Sequence, residues 1–231
     1  MSALQWLPLE SNPDVMNNFL KNMGVKSEWT FVDVLGFDSE MLALIPRPAI
    51  ALLLLFPCTF EMDAKSKGDQ SSATQTGAGG KQPYFIVQTI RNACGTMALI
   101  HAIANNTDRI QFEANSSLKQ FLLKTADLSP QERGKTLEMS SDIGEVHEHC
   151  AQEGQTQAPE LNESIDYHFI AFVESDGRLY ELDGRKAGPV CHGSTTRDTF
   201  LEDAAVVCKR FMDNCPNNIN FTAVALVKQD S

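Results

Sequence analysis

Cys94 opens an apolar run of helical character, Gln88 precedes it by six positions, and His168 and Asp183 follow downstream, fifteen residues apart. These are the residue types of acyl transfer through a thiol. A helix N-terminus carries roughly half a positive elementary charge and unpaired N–H groups, so a cysteine placed there is drawn toward the thiolate, the form that attacks. Thiols in such settings have pKa values of about 3.5 to 7.5 instead of about 8.5. The Gln88 amide and the Cys94 backbone N–H supply two donors for a tetrahedral oxyanion, and losing one such donor typically costs roughly 2.7 to 4 kcal/mol of transition-state stabilisation.

A catalytic thiol needs a base within about 2.6 to 3.2 Å in the productive complex. His101 fails this test, because seven residues along the same helix is a displacement of roughly 10.5 Å. It reads as a core or helix-surface residue. His168 qualifies through strand pairing. Asp176-Gly177 is a two-residue hairpin turn, and that turn sets Ile170 opposite Asp183 and His168 opposite Arg185. His168 and Asp183 are then diagonal neighbours on one face, about 7 to 8 Å apart at the backbone and within reach of each other's side chains. Asp183 orients the ring, and the second ring nitrogen faces the thiol.

The remaining histidines and cysteines give weaker signals. His147 and His149 lie two apart and so face different sides of a helix, and no second ligand cluster has zinc-like spacing, so no metal site is expected. Cys58, Cys150, Cys191, Cys208 and Cys215 lack a paired base or a CxxC partner and read as structural thiols.

The elements that must position these residues follow from period and punctuation. Helices are predicted near 13–23, 38–44, 117–126, 130–137, 141–150 and 196–212, besides the one that starts at Cys94. Strands are predicted at 49–56, 167–173, 179–182 and, at the edge of the core, 221–227. Residues 61–83 are rich in Gly, Ser, Thr and Gln and read as a mobile surface loop. Residues 151–166 contain four acids and no base and run straight into His168, which reads as a flexible acidic flap over the catalytic groove. The order of elements predicts an α+β fold, helices against a mostly antiparallel sheet, in one domain.

Composition narrows the class further. The net charge is −11, which argues against nucleic acid and favours a basic partner. The apolar run 49–56 is far short of the ~20 residues a membrane span needs. The start of the chain has neither the basic residues nor the apolar core of a secretory signal. Six cysteines are then expected as reduced thiols, in the cytoplasm or also the nucleus.

The string QTIRNACGTMALIHAIAN from Gln88 to Asn105, with YHFIAFV from Tyr167 and LYELDGRK from Leu179 to Lys186, closely resembles the ubiquitin carboxyl-terminal hydrolase family of cysteine deubiquitinases. WLPLESNP from Trp6, IPRP from Ile45 and AQEGQT from Ala151 extend the likeness over nearly the whole chain, which looks most like the short, single-domain animal members of the L-three type. The resemblance implies a papain-like cysteine protease fold with a knotted backbone, an exception to the general rule. It implies Cys94 as nucleophile, His168 as general base and acid, Asp183 as its orienter and Gln88 as oxyanion donor. Ala151, Gln152, Glu153, Gly154, Gln155, Thr156, Gln157 and Ala158 match the family's crossover loop, which limits the size of the leaving group. Pro8, Leu9, Glu10, Ser11, Asn12 and Pro13, with Asn218, Ile219, Asn220 and Phe221, match segments that contact ubiquitin.

The implied activity is hydrolysis of amides, esters or thioesters at the terminal Gly of ubiquitin, by a monomer without cofactor or metal. The expected partner is ubiquitin, with no nucleic acid or membrane. Two other readings use the same residues, a binding module that shelters monoubiquitin with little turnover, and a hydrolase of Nedd8-like modifiers.

Overall fold

The run AIALLLLFP is apolar on both faces, as a strand must be when helices cover its sheet on two sides. It forms β2 (Ala49–Pro57). The computed structural model describes residues 4–57, 82–155, 166–215 and 218–229. Within them, β1 (Trp29–Asp33), β2, β3 (Tyr167–Ser175), β4 (Arg178–Leu182), β5 (Val190–Ser194) and β6 (Thr222–Lys228) make one sheet in the order β1-β6-β2-β3-β4-β5. Every neighbouring pair is antiparallel. The architecture is α+β, as expected. The last strand in the sequence differs from expectation, because β6 lies inside the sheet between β1 and β2. Its sequence TAVALVK is buried from Ala223 to Val227, which is the pattern of an interior strand.

Alternation along the strands divides the core in two. Phe169, Ala171 and Val173 of β3 and Tyr180 and Leu182 of β4 join the core on the face covered by α3 (Cys94–Ala104). Ile170 and Phe172 of β3 and Leu179 of β4 join the core on the other face, under α7 (Phe200–Asp213). Leu52, Leu53 and Leu54 of β2 are fully buried, and each such side chain contributes about 1.5–3 kcal/mol relative to exposure. Ile50 and Ala51 are consecutive yet share one core, because the β2–β6 register shifts between Ala49 and Ala51.

The helices begin where the local chemistry allows. Asn12 caps α1 (Pro13–Asn22), with Pro13 at its first position. Asp38 caps the short α2 (Ser39–Leu42). Ser116 caps α4 (Ser117–Thr125), and Ser129 and Glu132 form a capping box on α5 (Pro130–Glu138). α6 (Ser141–Gln152) runs two residues past its expected end, so Ala151 and Gln152 are helical and the expected loop starts at Glu153. Thr156, Gln157 and Ala158, with most of the acidic flap, lie outside the described residues, as do 61–81 of the expected surface loop. α7 begins four residues later than predicted. Thr196 and Thr199 exchange N–H to hydroxyl bonds of 3.1 Å each, and that closed turn replaces the first helical turn.

α5 fixes the approach to the nucleophile. Val87 N–H donates to the Pro130 carbonyl at 3.0 Å, Arg133 Nη1 donates to the Phe85 carbonyl at 2.9 Å, and a Cβ on Gly134 would lie 2.4 Å from the Val87 carbonyl oxygen. Gly134→Ala gains at most about 1 kcal/mol of helix propensity. Moving the backbone apart costs about 1–3 kcal/mol. The expected outcome is net destabilisation, a lower urea midpoint at unchanged m-value; an unchanged or higher midpoint would show that this contact is loose.

Candidate active site

Cys94 is the first residue of α3, and the residue before it, Ala93, offers no side-chain cap. The helix's first N–H groups are therefore open to a substrate anion, which a Ser or Asp cap would have closed. Asn92 enters the turn with φ of 62°, a left-handed conformation that Asn tolerates better than most residues. The turn is braced from the N-terminal side. Trp6 N–H donates to the Arg91 carbonyl at 3.0 Å and Arg91 N–H to the Leu4 carbonyl at 2.9 Å. A Cβ on Gly95 would come within 3.0 Å of the Leu9 side chain.

The hairpin delivers His168 and Asp183 as the turn arithmetic predicts. Ala171 pairs with Leu182 and Val173 with Tyr180, a register that brings His168 and Asp183 diagonally together just past the ladder. His168 Nε2–H donates to Asp183 Oδ1 at 2.6 Å, and both residues are almost fully buried. Arg185 N–H donates to the same Oδ1 at 2.9 Å, an Asx turn within the Asp-Gly-Arg sequence. Phe56, opposite His168 in the sheet, sets its ring edge-on to the imidazole at 5.9 Å.

His168 Nδ1 is buried without a closed hydrogen bond, and Cys94 is the group whose protonation it shares. Burial alone would lower the imidazole's pKa. The bonds and charges of Asp183 and Cys94 outweigh it and lift His168 to about 9. Burial likewise pushes the Cys94 thiol up, but His168, the Phe169 N–H and the Arg185 charge bring it below its ordinary value. Asp183 is lowered against the effect of burial, chiefly by His168. Both shifts favour the thiolate–imidazolium form of the pair, with the carboxylate orienting the ring. A loose sulfur–nitrogen contact is usual before substrate tightens the site.

Gln88 is held at both ends of its backbone and side chain. Its N–H donates to the Gly184 carbonyl at 2.8 Å, and its Nε2 donates one hydrogen to the Ile90 carbonyl at 2.9 Å, leaving a second. A Cβ on Gly184 would approach Gln88 Cβ to 3.0 Å, so glycine next to Asp183 lets the two segments of the site close on each other. Residue types and spacing alone had not revealed Phe169, Gly184, Arg185 or Phe56 as parts of this site. The Asp-Gly-Arg turn was a readable signal for two of them; the other two depend on register.

His101 and His147 are neutral core groups. His101 Nε2 accepts from Ile86 N–H at 3.0 Å, the ring stacks on Phe85, and burial drives its pKa to about 4. His147 donates from Nε2 to the Leu7 carbonyl at 2.6 Å and meets the Thr96 hydroxyl through Nδ1 at 2.7 Å, again near pKa 4 through burial. Among the described residues no cluster of three or more His, Cys, Asp or Glu could hold a metal ion, and no helix is long and apolar enough to cross a membrane.

The two segments expected to meet a partner flank this centre. Leu9 is 5% exposed and packs inward, so it seats its segment, while Pro8, Glu10, Ser11, Asn12 and Pro13 are half-buried. Asn12 Nδ2 donates to Glu10 Oε1 at 3.2 Å, and a Cβ on Gly154 would meet Glu10 Oε2. The base of the expected crossover loop, at Glu153, Gly154 and Gln155, therefore abuts that segment. On the other side Asn220 Nδ2 donates to the Tyr167 hydroxyl at 3.0 Å, next to His168, and Ile219 is 90% exposed. Asn218 and Phe221 are half-buried.

Residues 6–213 match the family described as ubiquitin carboxyl-terminal hydrolase, family 1. A ubiquitin carboxyl-terminal hydrolase of Aplysia californica is 50% identical over 215 residues, covering 93% of this chain and 98% of that one. The human isozyme L1 is 45% identical over 225 residues, covering 97% and 99%. Among solved structures, the Trichinella spiralis UCH37 catalytic domain bound to ubiquitin vinyl methyl ester superposes with a TM-score of 0.79 at 24% identity, covering 97% of this chain and 96% of that one.

The charge state of the pair sets a pH dependence. Iodoacetamide modification of Cys94, followed by mass spectrometry, is expected to reach its half-maximal rate at a pH below the ordinary thiol value of about 8.5. Cys150, raised to about 11, and Cys208, also raised by burial, should stay unmodified over that range. Asp183→Asn should move the Cys94 midpoint upward. A Cys94 midpoint at or above the ordinary value would refute the resting ion pair.

Proposed function

This chain belongs to ubiquitin carboxyl-terminal hydrolase family 1, and from that premise we propose that it is a deubiquitinating thiol hydrolase working through Cys94, His168, Asp183 and Gln88. The observation that carries the assignment of roles is the His168 imidazole, bonded through one nitrogen to Asp183 at 2.6 Å and electrostatically paired through the other with a thiol at a helix start.

The Cys94 thiolate attacks the carbonyl carbon of the terminal glycine of ubiquitin, and the carbonyl π electrons move onto oxygen. The free hydrogen of the Gln88 amide and the open N–H of Cys94 stabilise that oxyanion. The His168 imidazolium gives its proton to the leaving amine, alcohol or thiol as the bond breaks, which leaves a thioester on Cys94. Neutral His168 then takes a proton from water, the hydroxide attacks the thioester, and the thiolate departs. Asp183 keeps the ring in the required orientation through both halves.

Pro8 to Pro13 and Asn218 to Phe221 suit the body of ubiquitin, with Leu9 acting from within. The net charge of −11 favours a basic face and tail, and attraction of that kind weakens with salt. Residues 153–158, matched to the family's crossover loop by sequence and abutting the first segment through Gly154, are assigned the preference for small or flexible leaving groups over folded ones. The unclosed contact between His168 Nδ1 and Cys94 favours a second reading, in which the chain mainly retains monoubiquitin and turns over slowly.

The test is release of a fluorogenic amine from the C-terminal glycine of ubiquitin. Wild-type chain should release it, Cys94→Ala should not, Gln88→Ala should be slower by about 10²–10³ in kcat, and Asp183→Asn by about 10²–10⁴. An inert wild type that still binds ubiquitin would replace hydrolysis by retention. Equal turnover of the Nedd8 substrate in direct competition would remove the preference for ubiquitin.

A further inference from the structure

The turn that presents Asp183 rests on a buried carboxylate for which the chemistry above has no use. Glu181 lies on β4, two residues before Asp183 and on the same face of the sheet, paired with Phe172 on one side and Val190 on the other. It is 2% exposed, beside its sheet partner Phe172 and within electrostatic reach of Cys208 on α7. A lone carboxylate in such a place is costly, and it persists only when paired and hydrogen-bonded. Glu181 has both partners. Oε1 meets Lys186 Nζ at 2.6 Å and Oε2 meets His192 Nε2 at 2.8 Å.

Both ends of this clamp belong to the segment that builds the site. Lys186 closes the turn, donating its N–H to the Asp183 carbonyl at 2.9 Å. Between them, Gly184 receives Gln88 N–H and Arg185 donates to Asp183 Oδ1. With Glu181 as its lower anchor, the stretch from Glu181 to Lys186 is a ring closed through a side-chain ion pair. His192 ties that ring to β5. We propose that Glu181 is a positioning residue of the active site, which through Lys186 and His192 fixes the 183–186 turn so that Asp183 meets His168 and Gly184 meets Gln88. The Lys186 charge also helps keep Asp183 ionised. The charged or titratable groups facing this unit are His168, Cys94 and Arg185 at the site, His101 from α3 and Cys208 from α7.

This inference rests on the catalytic roles proposed above, so its experiment has two arms that fail separately. The first arm measures fluorogenic hydrolysis of ubiquitin by Glu181→Gln, Lys186→Met and the double variant. kcat is expected to fall about 10- to 100-fold with KM nearly unchanged, and the double variant should lose little more than either single one. The second arm needs no ubiquitin. It follows iodoacetamide modification of Cys94 against pH, and the midpoint should rise by about half a unit or more in each variant as Asp183 loosens its hold on the imidazolium. Lys186 is 26% exposed, so Lys186→Met carries the test if Glu181→Gln does not fold. An unshifted midpoint in a folded variant overturns the proposal, as does a loss of activity that only tracks the folded fraction measured by circular dichroism. A wild type inert toward ubiquitin would overturn the catalytic reading while the alkylation arm still decided this one.

Discussion

The bond between His168 and Asp183 is the constraint on which the rest of the site turns. A buried imidazole is normally neutral, as His101 and His147 are in this same molecule, each near pKa 4 because burial penalises the cation. His168 is as deeply buried but has a carboxylate 2.6 Å away. That partner, together with the Cys94 sulfur, reverses the sign of the environment's effect, and the cation so sustained draws the neighbouring thiol toward its anion. The helix start at Cys94 assists, but among the groups that draw the thiol down His168 comes first.

The bond exists because a hairpin has one register. The Asp176-Gly177 turn has both residues at positive φ, 51° and 72°, as a tight two-residue connection between twisted strands requires. A slip by one residue would move His168 and Asp183 to opposite faces of the sheet. The apolar residues on both faces of β3 prevent that slip, since it would exchange the contents of two cores. Packing far from the sulfur thus determines its ionisation.

This also explains what could be read from the chain and what could not. Strongly periodic helices, the long apolar β2 and the hairpin were legible because their signals are local. The catalytic pair was legible because a two-residue turn leaves no freedom in the pairing. β1 was not foreseen. It is five residues long, and its pattern is set by pairing with β6, about two hundred residues away in the chain. β5 was also not foreseen, since Val190–Ser194 carries a Cys, a His and a Gly at positive φ and holds its place through β4 and Glu181. Order within the sheet is likewise a long-range property, which is why β6 was expected at the edge. Gln88 was placed by its distance from Cys94, but the carbonyls that hold it, Ile90 and Gly184, emerged only with the fold.

The interior position of β6 has a consequence for how the molecule is made. The sixth strand in chain order separates the first two, so a growing polypeptide cannot finish its sheet until residues 222–228 have emerged. Until then β1 lacks its ladder partner, and one edge of β2, with its run of leucines, is open to pairing with another chain. Closure of the sheet therefore waits on a segment made long after the strands it joins, and over that interval the leucine-rich edge of β2 is the part of the molecule most exposed to mispairing.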